Sequence, residues 1–137
     1  MILSGKKVAE ELNYKLKEKI QLLEKKPKLL ALLVWDNSES LRYISQKRKA
    51  SENVGIDFEL LQLDVNISED ILLSVVQKLN DDSSISWYIV QLPLPRWFDV
   101  QKALSALDPK KDVDWFHPIN QWKLLIWDSS GHIPCTP

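Results

Sequence analysis

"KLLALLV" occupies residues 28–34 of the chain. After the opening lysine it is apolar throughout, with no alternation of polar residues. A strand with one wet face alternates. An unbroken run of this length reads as a strand covered on both faces, as in parallel sheets whose crossover helices lie on either side. The flanks agree with that reading. Upstream, Val8, Leu12, Leu16, Ile20 and Leu23 recur at helical spacing over residues 4–25, with Ser4 as N-cap, and Pro27 closes the segment. Downstream, WDNS at 35–38 is a turn, and residues 39–53 form a second helix stopped near Gly55. IDFELLQL at 56–63 alternates as a strand does. Ser68 caps a helix over 68–80, with Ile71, Leu72, Val75, Val76 and Leu79 on one face. SWYIVQL at 86–92 is a third strand, broken by Pro93 and Pro95. Short helices at 98–107 and 119–126 flank a loop, and a proline-containing tail follows.

Such alternation predicts an α/β fold: one domain, a parallel sheet with helices on both faces, and right-handed crossovers. Functional side chains in such sheets gather at the carboxyl ends of the strands, here residues 34–38, 63–66 and 90–95.

Composition narrows the function. The 137 residues suit one domain with a proper core, and 45% hydrophobic with 27% charged residues is ordinary for a soluble globular protein. A net charge of −1 argues against nucleic-acid binding. No apolar run approaches a membrane span, and MILSGKKVAEEL lacks the apolar centre of a signal peptide. Cys135 is the single cysteine, which excludes an internal disulfide or a CxxC knuckle and makes a reducing cytoplasm the expected setting. One feature is abnormal. There are six Trp and three Gly, where average usage would give roughly nine or ten Gly.

Several residues could carry chemistry. Ser40, Tyr43 and Lys47 share one face of the second helix, although such faces are more often structural. VQLPLP at 90–95 ends an apolar strand in Gln91; buried there, its amide needs partners, and beside a lysine it would hold the ammonium and affect its ionisation. An ordinary strand end with a stiff turn is the plain alternative. Asp112 and Asp114 alternate in a loop, where such acids bind a cation, cap a helix or meet a polar ligand. No convergent set of further ligands favours a metal. His117 and His132 read as structural or exposed, and Cys135, without an activating base, as structural. There is no GxSxG, no HExxH and no phosphate-binding glycine-rich loop.

Taken together, YISQKRKASENVGI at 43–56, VQLPLP at 90–95, PKKDVDWFHPIN at 109–120 and IPCTP at 133–137 resemble one family. It is the bifunctional methylenetetrahydrofolate dehydrogenase/methenyltetrahydrofolate cyclohydrolases, in their N-terminal catalytic domain. The resemblance spans essentially the whole chain. It implies that Tyr43 stacks on the aminobenzoyl part of a folate, that Lys47 is the catalytic lysine, that Gln91 holds it, and that Asp114 contacts the pterin edge. Ser40, Leu92 and Pro93 are expected to contact substrate. The implied reactions are oxidation of methylenetetrahydrofolate with NADP and hydrolysis of the methenyl product to formyltetrahydrofolate. A homodimer is the implied assembly. Ser38 and Glu39 stand where the family often has Pro-Ala. The family's dinucleotide-binding domain follows the PCTP motif, so the expectation is one domain of a two-domain enzyme, with the NADP site mainly outside this chain. A folate-binding or dimer-forming module without turnover is the alternative.

The same resemblance addresses the tryptophans. VWDN at 34–37, Trp87 ahead of the IVQLPLP stretch, DVDWFHP at 112–118 and NQWKL at 120–124 each place Trp where the family has Gly, and Trp97 and Trp127 fall in turn-like contexts. UGA is stop in the standard code, tryptophan in some variant codes and glycine in others. The expectation is that all six Trp stand for glycine.

Overall fold

The computed structural model describes residues 4–35, 37–128 and 130. Cys135, His132 and the IPCTP stretch lie outside these residues.

The elements run α1 (Gly5–Gln21), β1 (Lys28–Leu33), α2 (Ser38–Val54), β2 (Asp57–Gln62), α3 (Glu69–Asp81), β3 (Trp87–Val90), α4 (Val100–Ser105) and α5 (Pro118–Leu125). The strands form a parallel sheet in the order β2-β1-β3, so the apolar run is the central strand. Its two faces feed two cores. Leu30, Leu32 and Val34 pack with Leu72, Val76 and Leu79 of α3 and with Ala103 and Leu104 of α4. Ala31 and Leu33 point the other way, onto Ile44 and Leu41 of α2, with Phe58 and Leu60 of β2 alongside. Both faces of β1 are therefore dry, which is why it shows no polar alternation. On edge strand β2, the Arg48 guanidinium lies 5.4 Å over the Phe58 ring.

Local signals account for the helix ends. Ser4, Asn37, Ser68 and Asp99 each accept a backbone N–H of the first turn of the helix they precede. Gly55 ends α2 with φ 94°. In that conformation its N–H reaches Glu52 O and the next N–H, of Ile56, reaches Ser51 O.

Two expectations of burial fail. On α1 only Ile20 is buried, meeting the α2 end beside Gly55, whereas Val8, Leu12, Leu16 and Leu23 are exposed. Ile71, expected on the inner face of α3, is also exposed. Periodicity reports that a helix has an apolar stripe, not that another element covers it.

Candidate active site

Topology places the site. After β1 the chain passes to α2 on one face of the sheet, and after the adjacent β3 it passes toward α4 on the other. Neighbouring strands whose connections diverge open a crevice at their carboxyl ends. A cavity of about 400 Å³ lies there, lined from the β1 side by Trp35, Asn37, Ser38, Glu39, Ser40 and Tyr43 and from the β3 side by Leu92 and Pro93. Ser40 is buried beneath it, while Tyr43 is 60% exposed and offers its ring to the opening. A second cavity of about 620 Å³, lined by Pro93, Leu94, Pro95, Arg96 and Trp97, shares Trp35 and Pro93 with the first.

One turn beyond Tyr43 on α2, Lys47 forms an ion pair with Asp114 at 3.5 Å across 67 residues of sequence. The two side chains are about one-third exposed, 34% and 33%. Pairs this wet contribute roughly 0–1 kcal/mol, so the fold does not depend on this one. Gln91 sits at the end of β3, its N–H on Leu32 O, and its Nε2 donates to Leu92 O at 2.8 Å. Its Oε1 is buried without a hydrogen-bond partner. Lys47 thus pairs with Asp114, while the Gln91 amide donates to Leu92 O. Ser40, Tyr43, Leu92 and Pro93 come together in the cavity wall, Gln91 adjoins it, and the Lys47–Asp114 pair stands one helical turn away.

Asp114 is held by a loop with its own scaffold. Asp112, two residues before it, is 1% exposed and accepts from Phe116 N–H at 3.2 Å, His117 N–H at 2.8 Å and Asn120 Nδ2 at 2.9 Å. Its backbone bridges to Tyr88 on the free side of β3. Asn120 also donates to Pro109 O. His117 caps α5, its Nδ1 accepting from Ile119 N–H, and its Nε2 lies 3.2 Å from Ser105 O. The structural reading of His117 is therefore correct. Further back, Asn80 Oδ1 accepts from both the Tyr88 hydroxyl at 2.6 Å and Asp108 N–H at 2.7 Å. Burial pushes the Tyr88 phenol well above its ordinary pKa, so it stays a proton donor. By residue type and spacing Asp112 and Asp114 are alike, and the resemblance gives the ligand contact to Asp114. Burial separates the one that builds the loop from the one that faces a lysine.

Among the described residues no three His, Cys, Asp or Glu side chains gather as a metal site, and no helix is long and apolar enough to cross a membrane.

The chain has relatives of known kind. The family model for the tetrahydrofolate dehydrogenase/cyclohydrolase catalytic domain matches residues 3–114. The bifunctional protein FolD of Staphylococcus epidermidis is 42% identical over 139 residues, covering 99% of this chain and 48% of that protein. FolD of Hydrogenobaculum sp. is 40% identical over 137 residues, covering 99% and 49%. The crystal structure of the FolD methylenetetrahydrofolate dehydrogenase/cyclohydrolase of Campylobacter jejuni superposes with a TM-score of 0.93 at 39% identity, covering 97% of this chain and 48% of that one. The Trypanosoma brucei enzyme, solved with NADP cofactor and inhibitor, gives a TM-score of 0.90 at 31% identity, covering 99% and 48%. The chain thus spans about half the length of these relatives. With a family match over most of its residues and the same fold, this chain belongs to the tetrahydrofolate dehydrogenase/cyclohydrolase family and corresponds to its catalytic domain.

Proposed function

We propose that this chain forms the folate-binding, catalytic part of an enzyme that oxidises methylenetetrahydrofolate to methenyltetrahydrofolate and hydrolyses that product to formyltetrahydrofolate. The observation that carries the reading is the Lys47–Asp114 pair, set one turn from Tyr43 at the sheet's crevice. A module that only held folate would use the ring and the acid; it would have no need of an amine beside them.

The roles follow from chemistry. Tyr43 offers an exposed ring on which the aminobenzoyl group stacks. Asp114 accepts hydrogen bonds from the pterin edge and fixes its orientation. Lys47 carries an amine that gives and takes a proton, which an arginine does poorly. In the hydrolytic step water adds to the methenyl carbon and Lys47 takes one of its protons; that proton passes to the ring nitrogen as its bond to the carbon breaks, and the remaining hydroxyl proton is released to solvent as the formyl carbonyl forms. Gln91 supports the lysine: its buried, unpartnered Oε1 is an acceptor that costs about 1–3 kcal/mol until a donor meets it. Ser40, Leu92 and Pro93 shape the cleft.

NADP supplies the hydride acceptor in this reading. None of the three strands leads into a glycine-rich turn for a pyrophosphate, so the residues of this chain do not fit the dinucleotide and no step is routed through it. A homodimer in a cytoplasmic setting, with no nucleic-acid or membrane partner, completes the proposal; the apolar stripe of Val8, Leu12 and Leu16 is surface that assembly would cover.

The test uses a polypeptide of the relatives' full length, where oxidation and hydrolysis are read separately. Lys47→Ala should abolish methenyl hydrolysis, at least about a hundredfold, the loss typical of removing an acid–base group, while 5-formyltetrahydrofolate still binds. Tyr43→Ala should instead weaken binding by roughly 1 kcal/mol through lost stacking. Near-normal hydrolysis by Lys47→Ala would refute the mechanism.

A further inference from the structure

Two helices of this chain end in the same hydrogen-bonded turn. At the end of α2, Gly55 N–H bonds to Glu52 O and Ile56 N–H to Ser51 O, with Gly55 at φ 94°. At the end of α5, Trp127 N–H bonds to Leu124 O and Asp128 N–H to Lys123 O, with Trp127 at φ 59°. Register for register the two caps are equivalent, and they require a left-handed residue at the same point. One has glycine there; the other has the largest side chain available. An L side chain in this conformation crowds its own following carbonyl, and the usual exceptions are Asn and Asp. Among the described residues one other non-glycine has positive φ, and it too is tryptophan: Trp115, at φ 58° and buried. Backbone conformation thus singles out, from all residue types, the one whose abundance is anomalous in a chain with six Trp and three Gly.

We propose that positions 115 and 127, and with them 35, 87, 97 and 122, are glycine in the polypeptide that the cell makes, all six through one reassigned codon, and that glycine at 35 sets the width of the substrate cleft. Trp35 follows the central strand and lines both cavities at the carboxyl edge of the sheet. Tyr43 lines only the first cavity and Arg96 and Trp97 only the second, and Trp35 and Pro93 are the residues the two share. Without a side chain at 35 the two cavities become one continuous cleft, long enough for a ligand with a fused-ring head and an aryl tail. This last step rests on the folate reading; the identity of the residues does not.

Peptides of the protein isolated from its own cells, sequenced by tandem mass spectrometry, decide that identity. Glycine is expected at all six positions, and tryptophan at 115 or 127 overturns the proposal. The strain argument is checked by a mirrored pair of changes. Trp127→Gly should raise the thermal midpoint and Gly55→Trp should lower it; a lower midpoint for Trp127→Gly overturns the helix-end argument. The cleft is tested with glycine at the other five positions and either residue at 35, titrated with 5-formyltetrahydrofolate. Glycine at 35 should bind roughly tenfold tighter or better. Equal binding by both forms overturns the role of position 35 while leaving the folate site intact. If neither form binds, the folate reading falls, and the peptide sequences still settle which residue is present.

Discussion

The two walls of the cleft are built in opposite ways. The wall after β3 ends in the 112–120 loop, where a buried carboxylate gathers three donors and Asn80, Asn120 and His117 bind the neighbouring backbone. The wall after β1 is the short turn into α2, where among the described residues Ser40 N–H donates to Asn37 Oδ1 at 2.7 Å as the helix cap and Asn37 N–H donates to Trp35 O at 3.1 Å. One wall is fixed from within. The shape of the other depends on the residues it happens to contain. A site that must present Asp114 to Lys47 gains from the first kind of construction. A site that must also admit a large ligand can leave the second wall plain, which is why the residue at 35 matters more than its single position suggests.

Breaking the fixed wall should have the largest effect on stability. Asp112→Ala removes an acceptor serving Phe116, His117 and Asn120 and leaves the His117 N–H buried, and the Phe116 N–H half-buried, without that partner. Hydrogen bonds to charged groups contribute about 1.5–3 kcal/mol each, and they do not simply add, so a loss of about 3 kcal/mol is expected in urea unfolding. Asp112→Asn keeps one acceptor and should recover part of it. A loss under 1 kcal/mol for the alanine variant would mean that the loop is held elsewhere. Loosening the other wall should cost less. Asn37→Ala removes only the α2 cap, worth typically about 1 kcal/mol. The comparison predicts a reversed ranking in ligand binding per unit of stability lost, because Asn37, Ser38, Glu39, Ser40 and Tyr43 line the cavity directly while Asp112 does not. Titration of both variants with 5-formyltetrahydrofolate checks it, and equal binding losses would erase the distinction between the walls.

The element order was legible because each element announces itself locally. The unbroken run at 28–34, the caps at Ser4 and Ser68, Gly55 and the prolines after Gln91 are nearest-neighbour physics, and all eight elements stand where these signals put them, with ends shifted by a few residues. What joins elements was not legible in that way. The pairing of Lys47 with Asp114 links positions 67 apart, and no spacing rule reaches so far; the resemblance placed both in one site but paired the lysine with Gln91, and only the fold shows the acid beside it. The exposed stripe on α1 is the converse case, a true periodicity with nothing described to cover it. The burial of Asp112 was hidden for a third reason. A carboxylate that organises a loop and one that faces a cleft look identical in DVD; the resemblance gave a role to Asp114, and the role of Asp112 shows only in the donors arriving from 116, 117 and 120.

The smallest effect tests whether the fixed wall draws on its exposed surroundings as well as its buried core. Glu69 on α3 accepts from Lys102 Nζ and from Asp99 N–H, tying α3 to the start of α4. The Lys102 ammonium, then the Asp99 N–H, hold the Glu69 carboxyl below its ordinary value. A carboxyl depressed in the folded state contributes stability that is fully present above its unfolded pKa, near 4.5, and is lost as pH falls through the lower folded value. The same pair raises Lys102, whose contribution is present at neutral pH and fades only in strong alkali, as pH climbs through the raised folded value. Lys102 is exposed and Glu69 half-buried, both within reach of solvent, so screening keeps the effect slight and reduces it further in salt. Glu69→Gln should therefore leave the midpoint at pH 7 nearly unchanged and flatten the decline of stability below pH 4.5, measured by thermal melts across the acid range at low salt. A drop at pH 7 comparable to that of Asn37→Ala would show that the α3–α4 tie is part of the wall's core, and the contrast between a wall fixed from within and one held by a cap would have to be redrawn to include it.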